Sequence, residues 1–231
     1  MKRIRRIAMC VSLMMPMIAA AGEIIDGVVA TVSRRPVLQS EWDEATRFEA
    51  FMQQKPLTAV TEKDRVSALQ RLIDRRLLEA QMASPSYLSP SKDDVRSNLA
   101  KVRAQIPAAQ DEPGWQAMLA SYCLTQRQIE EHLRTETQMM NFVEVRLRPN
   151  VRVQPEEVEA YYRAQLLPDL EAAGVKLVTL QEVEPKIREL LVQQHIDQLL
   201  DAWLHNLREQ TPVHSTVALP ASSANDGVGG I

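Results

Sequence analysis

Cysteine and glycine are both scarce in this chain of 231 residues. It contains two cysteines and seven glycines, and three of the glycines lie in the last five positions. Scarce glycine, with frequent Leu, Ala, Glu, Gln and Arg, favours helices over strands and turns. If an N-terminal segment that contains Cys10 is cleaved off, Cys123 is the remaining thiol and cannot form an internal disulfide. We therefore predict a mainly α-helical protein that is stabilised by packing, with Cys123 as a small buried apolar residue.

The N-terminus has the three parts of a secretory signal. Met1 to Arg6 carries four cations, Ile7 to Ala21 carries no charge, and the run ends in three alanines. The apolar run is short for a bilayer span of about 20 residues, so we expect cleavage after Ala21, with retention as an anchor as the alternative. Met9 stands where a lipoprotein signal needs a small residue before Cys10, which argues against lipidation.

Beyond that segment the chain is acidic and has no basic cluster. Removal of the first 21 residues would leave 23 cations against 30 anions. This charge balance argues against a nucleic-acid partner and against docking on anionic lipid head groups. We expect contact with a membrane only during export.

The first elements predicted are a strand at Val28 to Val32, a turn, and a short second strand at Val37–Leu38 that runs back along the first. Ser40 then resembles a helix N-cap, with Asp43 three residues later, for a helix from Glu41 to about Gln54. Further caps are predicted at Thr61, Asp111 and Thr125, and another helix is predicted to start at Ser89-Pro90-Ser91. An apolar stripe of helical spacing follows each of these positions. In the stripe after Thr125 we place Ile129, Leu133, Met140 and Val143.

The C-terminal part is predicted to contain one short helix and one long helix. The short helix covers Glu156 to Gln165, and Leu166 to Leu180 is weakly patterned. The long helix covers about Glu182 to Glu209, with Pro185 in its first turn, where a missing N–H is tolerated. We expect a last strand at Val213 to Val217 and a disordered tail at 218–231.

Several segments, taken in this order, resemble one family. They are "I-I-D-G-V-V-A-T-V", "A-L-Q-R-L-I-D-R-R-L-L-E-A-Q", "L-T-Q-R-Q-I-E-E-H-L-R", "V-R-V-Q-P-E-E-V-E-A-Y-Y" and "I-R-E-L-L-V-Q-Q-H-I-D-Q-L-L-D-A-W-L-H-N-L-R". Together they are similar to the chaperone portion of SurA-like periplasmic proteins, a group that includes the related PpiD and PrsA foldases. The resemblance covers about residues 23 to 215.

The resemblance implies a multi-helix chaperone module over residues 22–217, located in the periplasm. It implies that the long last helix packs back on the N-terminal helices and that Val213 to Val217 pairs with Val28 to Val32. In such relatives a parvulin-type prolyl isomerase domain usually occupies the position of Leu166 to Leu180. These roughly fifteen residues are too few for that domain. The resemblance therefore implies a holdase for unfolded or extended polypeptides, in outer-membrane protein biogenesis, and no enzyme.

No catalytic or metal site is expected from the sequence, and no cofactor. The four histidines are His132, His195, His205 and His214, and no two of them have the i, i+4 spacing that metal ligands on a helix usually have. A residual prolyl isomerase activity, and an accessory subunit that docks on one dedicated partner, remain as alternatives to the chaperone.

Methionines and aromatic residues are the candidates for client binding. Flexible, polarisable methionine side chains suit surfaces that accept many apolar partners, although the same residues also serve as core fillers. The predicted peptide-binding residues are Trp42, Phe51, Met52, Met118, Tyr122, Met139 and Met140.

Overall fold

The computed structural model describes residues 26–82, 89–174, 176 and 178–219. The predicted signal peptide with Cys10, and nearly all of the predicted tail, lie outside the described residues. The elements are β1 (Val28–Val32), β2 (Arg35–Leu38), α1 (Gln39–Met52), α2 (Glu62–Gln81), α3 (Lys92–Ala104), α4 (Glu112–Ser121), α5 (Gln126–Leu147), α6 (Pro155–Tyr161), α7 (Leu167–Ala172), α8 (Leu180–Gln210) and β3 (Val213–Ser215). The prediction of a mainly α-helical chain with a small β element is confirmed.

The two ends of the described chain meet in a three-stranded antiparallel sheet of order β2-β1-β3. Thr31 pairs with Pro36 on one side and with His214 on the other. Ser33 and Arg34 form the tight turn between β1 and β2, with positive φ angles of 48° and 69°. The predicted pairing of the last strand with the first is confirmed, although β3 ends at Ser215.

Side-chain caps begin most of the predicted helices where the sequence placed them. The hydroxyl groups of Thr61, Ser91 and Thr125 each accept a hydrogen bond from the backbone N–H three residues later. Ser40 is not a cap, because α1 begins one residue earlier, at Gln39. Its hydroxyl group and its backbone N–H both donate to Asp26 instead. The N-terminal end of α1 is held by the Leu38 N–H, which donates to the Glu41 carboxylate at 3.0 Å.

Among the residues that the structure describes, three apolar clusters form the interior. The first joins the sheet to α1, α2, α5 and α8, and the second lies between α1, α3, α4 and α5 around the fully buried Trp115. The third is a small cluster of Val158, Ile187 and Leu191 that joins α6 to α8. Helix α8 thus contacts both α2 and α5, so the last helix packs back on the earlier ones as expected.

The segment between α6 and α8 is more helical than the sequence predicted. A π-helical turn at Tyr162–Leu166 leads directly into α7, and Gly174, just after the end of α7, has a φ of 63°. The Tyr162 hydroxyl group donates to the Val178 carbonyl at 2.6 Å, which joins the chain just before α8 to the π-helical turn. Because α8 begins at Leu180, Pro185 lies inside the helix and beyond its first turn, which corrects the predicted position.

A candidate binding groove between four helices

Helices α1, α2, α5 and α8 surround a groove of about 770 Å³. Its base consists of side chains that the packing of these helices has already buried, among them Phe48, Leu78, Val143 and Ile196. Leu200 extends the apolar lining along α8. A volume of this size is within the usual range for ligand sites, about 300 to 1,000 Å³.

Three of the seven predicted binding residues line this groove. Met139 is half-buried, whereas Met52 and Met140 are 39% and 63% exposed. Met140 was expected on the core stripe of its helix, and its exposure at the groove is a correction to that expectation. The structure therefore brings three methionines from α1 and α5 together around one groove.

The other four predicted residues belong to the core. Trp42 is buried in the first cluster, and its indole N–H donates to the Arg65 carbonyl at 2.6 Å. Phe51 and Tyr122 are buried in the second cluster with ring centroids 5.6 Å apart, and Met118 is half-buried against the same cluster. Trp42, Phe51 and Tyr122 are buried, and none of the four residues lines the groove.

Cys123 is also placed differently from the expectation. It is exposed, at the turn that follows α4, and its backbone has a positive φ of 52°. The neighbouring residues Tyr122 and Leu124 are buried in its place. The prediction of a buried Cys123 is therefore wrong.

Charged residues form the rim of the groove. The carboxylates among its lining residues belong to Glu49, Asp74, Glu136, Glu144 and Asp197, and the guanidinium groups to Arg71 and Arg75. Several of these charges are already paired. The Arg71 Nε donates to Glu49 at 2.6 Å, Asp74 pairs with Arg208 from α8, and Glu144 pairs with Arg148 at 3.0 Å.

Two rim carboxylates, Glu136 and Asp197, differ from the rest. Within the residues that the structure describes, neither forms a hydrogen bond or an ion pair through its carboxylate. Partial burial by the groove walls raises the pKa of Glu136, although attraction by Arg75 opposes that shift. Partial burial and repulsion by Asp201 raise the pKa of Asp197. The negative charge at these two positions is thus only weakly compensated.

His132 forms one wall of the groove. Its ring stacks on Phe48 with centroids 4.2 Å apart, and its Nε2 lies 3.0 Å from a carboxylate oxygen of Glu44. Its Nδ1 is buried without a hydrogen-bond partner among the described residues. Burial, together with repulsion by Arg75, lowers the pKa of His132, so the imidazole is neutral at pH 7. A neutral ring keeps this wall of the groove uncharged.

Within residues 26–82, 89–174, 176 and 178–219, no three His, Cys, Asp or Glu side chains are grouped so that they could hold a metal ion. Over the same residues, no helix is both long and apolar enough to cross a membrane. The lining residues of the groove offer apolar contact together with charge at the rim.

Comparison with known proteins adds no family to this description. No protein-family model matches the chain, and no curated protein matches it.

Sequence reasoning missed the rim carboxylates and the α8 side of the groove. Glu136, Met139, Met140 and Val143 follow one another at helical spacing, so they share one face of α5. The same spacing puts Asp197 and Leu200 on one face of α8. A mixed face of this kind, with carboxylates among apolar residues, was the signal available in the sequence.

Proposed function

We propose that the protein is a non-enzymatic chaperone of the holdase type, which binds unfolded or extended polypeptide segments in the groove between α1, α2, α5 and α8. The observation that carries this proposal is the groove itself, with its apolar base and its three methionines. An extended segment can place several apolar side chains against this lining, which four helices contribute.

The lining supports binding of many sequences in preference to one. Methionine side chains adapt their shape to different apolar partners, which favours promiscuous binding. Met52 and Met140 are partly exposed to solvent, so client side chains can contact them without any rearrangement of the core. Burial of each client leucine or phenylalanine would contribute about 1.5 to 3 kcal/mol before the cost of ordering the segment.

The proposed location is the periplasm, with outer-membrane proteins as clients. The signal-like first 21 residues support export, and the resemblance of residues 23 to 215 to SurA-like chaperones supports this class of client. In this proposal the short segment between α6 and α8 takes the place of the parvulin domain, and the protein acts without prolyl isomerase activity.

The test is suppression of aggregation. A urea-unfolded porin is diluted into buffer with the purified protein, and light scattering is followed over time. We expect scattering to fall as the protein approaches stoichiometric excess, without ATP. Unchanged scattering at that excess would contradict the proposal. Purification of the protein with one dedicated partner at a fixed ratio, instead of with many clients, would favour an accessory subunit.

A further inference from the structure

The rim of the groove has more negative than positive charge. Five carboxylates and two guanidinium groups line it, and the arginines that enter from outside, Arg148 and Arg208, are already engaged. Arg148 bridges two carboxylates at once, Glu144 and Glu189, at 3.0 Å and 2.5 Å. These ion pairs compensate several of the rim carboxylates, but the rim keeps an excess of negative charge.

The uncompensated charge is concentrated at Glu136 on α5 and Asp197 on α8. Both side chains are exposed, so a ligand can reach them, and both lie among apolar lining residues. Arg75 acts on Glu136 from α2, whereas the residue that acts on Asp197 is another carboxylate, Asp201. A bound cation would therefore lower the electrostatic energy of this rim, and a bound anion would raise it.

We propose that the preferred occupant of the groove is a polypeptide segment in which a lysine or arginine stands among apolar residues. This inference rests on the proposed function and specifies the class of client. The apolar side chains of the segment contact Met139, Met140 and Leu200, which line the groove and are not fully buried. The cationic side chain extends along the groove wall and places its charge beside Glu136 or Asp197.

Lysine and arginine suit this arrangement because they are amphipathic. Their aliphatic stems lie along apolar surface while the charged group stays near water, as the groove requires with its apolar base and carboxylate rim. A metal ion is a poorer match, because the described residues contain no group of three ligands for one. An acidic segment is disfavoured by repulsion from both uncompensated carboxylates.

The experiment compares three fluorescently labelled peptides. Each has about nine residues in which Phe, Val and Leu alternate with Ser, and the central residue is Lys, norleucine or Glu. Binding to the purified protein is measured by fluorescence anisotropy at low salt. We expect the Lys peptide to bind roughly tenfold more tightly than the Glu peptide, with norleucine between them. The difference should shrink at about 0.5 M salt, because screening shortens the range of the rim charges.

A pair of double variants assigns the preference to the groove. Glu136→Gln/Asp197→Asn removes the two uncompensated carboxylates and should bring the Lys and Glu peptides to nearly equal affinity. The matched control, Asp169→Asn/Glu171→Gln, makes the same change of net charge on α7, where both residues are exposed and neither lines the groove. The control should keep the full preference for the Lys peptide.

The outcomes separate this inference from the proposed function. If all three peptides bind equally and independently of salt, while aggregation is still suppressed, the inference is overturned and the chaperone proposal stands. A preference that survives in the groove variant, or that the control also loses, overturns the inference because the rim is then not its source. If no peptide binds and aggregation is not suppressed, both proposals fail.

Discussion

Arg208, in the last turn of α8, forms a two-point ion pair with Asp74 in the middle of α2. Its Nε lies 2.8 Å from Oδ1, and its Nη2 lies 2.5 Å from Oδ2. The two residues are separated by 134 positions in the chain. Asp74 also lines the groove, so this pair joins the last helix to the N-terminal helices at the wall of the candidate site.

We predict that Asp74→Asn lowers the free energy of unfolding by about 1 to 2 kcal/mol, because Arg208 then remains half-buried without its carboxylate. Burial raises the pKa of Asp74, whereas the hydrogen bond and the charge of Arg208 oppose that shift. Urea unfolding of Asp74→Asn, Arg208→Gln and the double variant measures the coupling. The double variant should lose less than the sum of the single variants. Strict additivity would show that the pair does not stabilise the fold.

Gly114, in the first turn of α4, is predicted to tolerate no side chain. An added Cβ would lie 2.1 Å from the Ala108 carbonyl oxygen and 2.7 Å from the Asp111 carboxylate that caps the helix. Gly114→Ala should therefore lower the free energy of unfolding by about 1 to 3 kcal/mol. Gly27→Ala is the matched control, since the nearest atom to its new Cβ is 4.0 Å away. Equal melting temperatures for the two variants would contradict the prediction.

His132 is predicted to make the protein less stable in mild acid. Its folded-state pKa is lowered from 6.5 by burial and by Arg75, while Glu44 and Glu131 oppose that shift. The unfolded chain therefore binds the proton more readily, and stability is lost as the pH falls below about 6.5 toward the lowered folded-state pKa. We expect the drop in stability between about pH 7.5 and pH 5.5 to be smaller in His132→Gln.

The readout is the difference between urea unfolding at the two pH values, so a uniform loss from the broken Phe48 stack does not affect it. His205→Gln is the control, because His205 is exposed on α8 and lies away from the groove lining. It should keep the pH difference of the unmodified protein. The prediction fails if His132→Gln keeps that difference unchanged.

Met52 and Met140 are predicted to contribute to client binding and not to stability. Met52→Ser/Met140→Ser should weaken the suppression of porin aggregation roughly fivefold or more, because two apolar contacts in the groove are lost. Its melting temperature should change little, since the side chains are 39% and 63% exposed. Val145→Ser, at a position of α5 that is 59% exposed and does not line the groove, should leave suppression intact. Equal loss in both variants would indicate a general effect of surface hydrophobicity.

Local features were predictable because they depend on residues close together in sequence. The hydroxyl caps of Thr61, Ser91 and Thr125 accept from an N–H three positions away, so the sequence shows both partners. The prediction of Ser40 as an N-cap is wrong, and its hydroxyl group donates instead to Asp26, which lies fourteen positions earlier in the chain. The predicted position of Pro185 in the first turn of α8 is wrong because the helix begins earlier in the chain than predicted, at Leu180.

The candidate site was predictable only in part. A large apolar side chain is the sequence signal for client binding, and Met52, Met139 and Met140 share it with Trp42 and Phe51. This signal does not show which of these residues are exposed. Exposure depends on which face of α1 the second cluster covers, and that face is set by contacts with α4 and α5. The rim carboxylates Glu136 and Asp197 become neighbours of one groove only when α8 packs against α5.

By itself, the sequence determined the helical class, most of the helix starts and the presence of the first and last strands, since periodicity, capping residues and β-branched runs are local patterns. The tertiary structure alone decided which apolar residues are core and which are surface. It also decided that Arg208 meets Asp74 and that four helices leave a groove between them. The physical reason is that burial and charge compensation depend on contacts between residues that are distant in sequence, which local patterns do not encode.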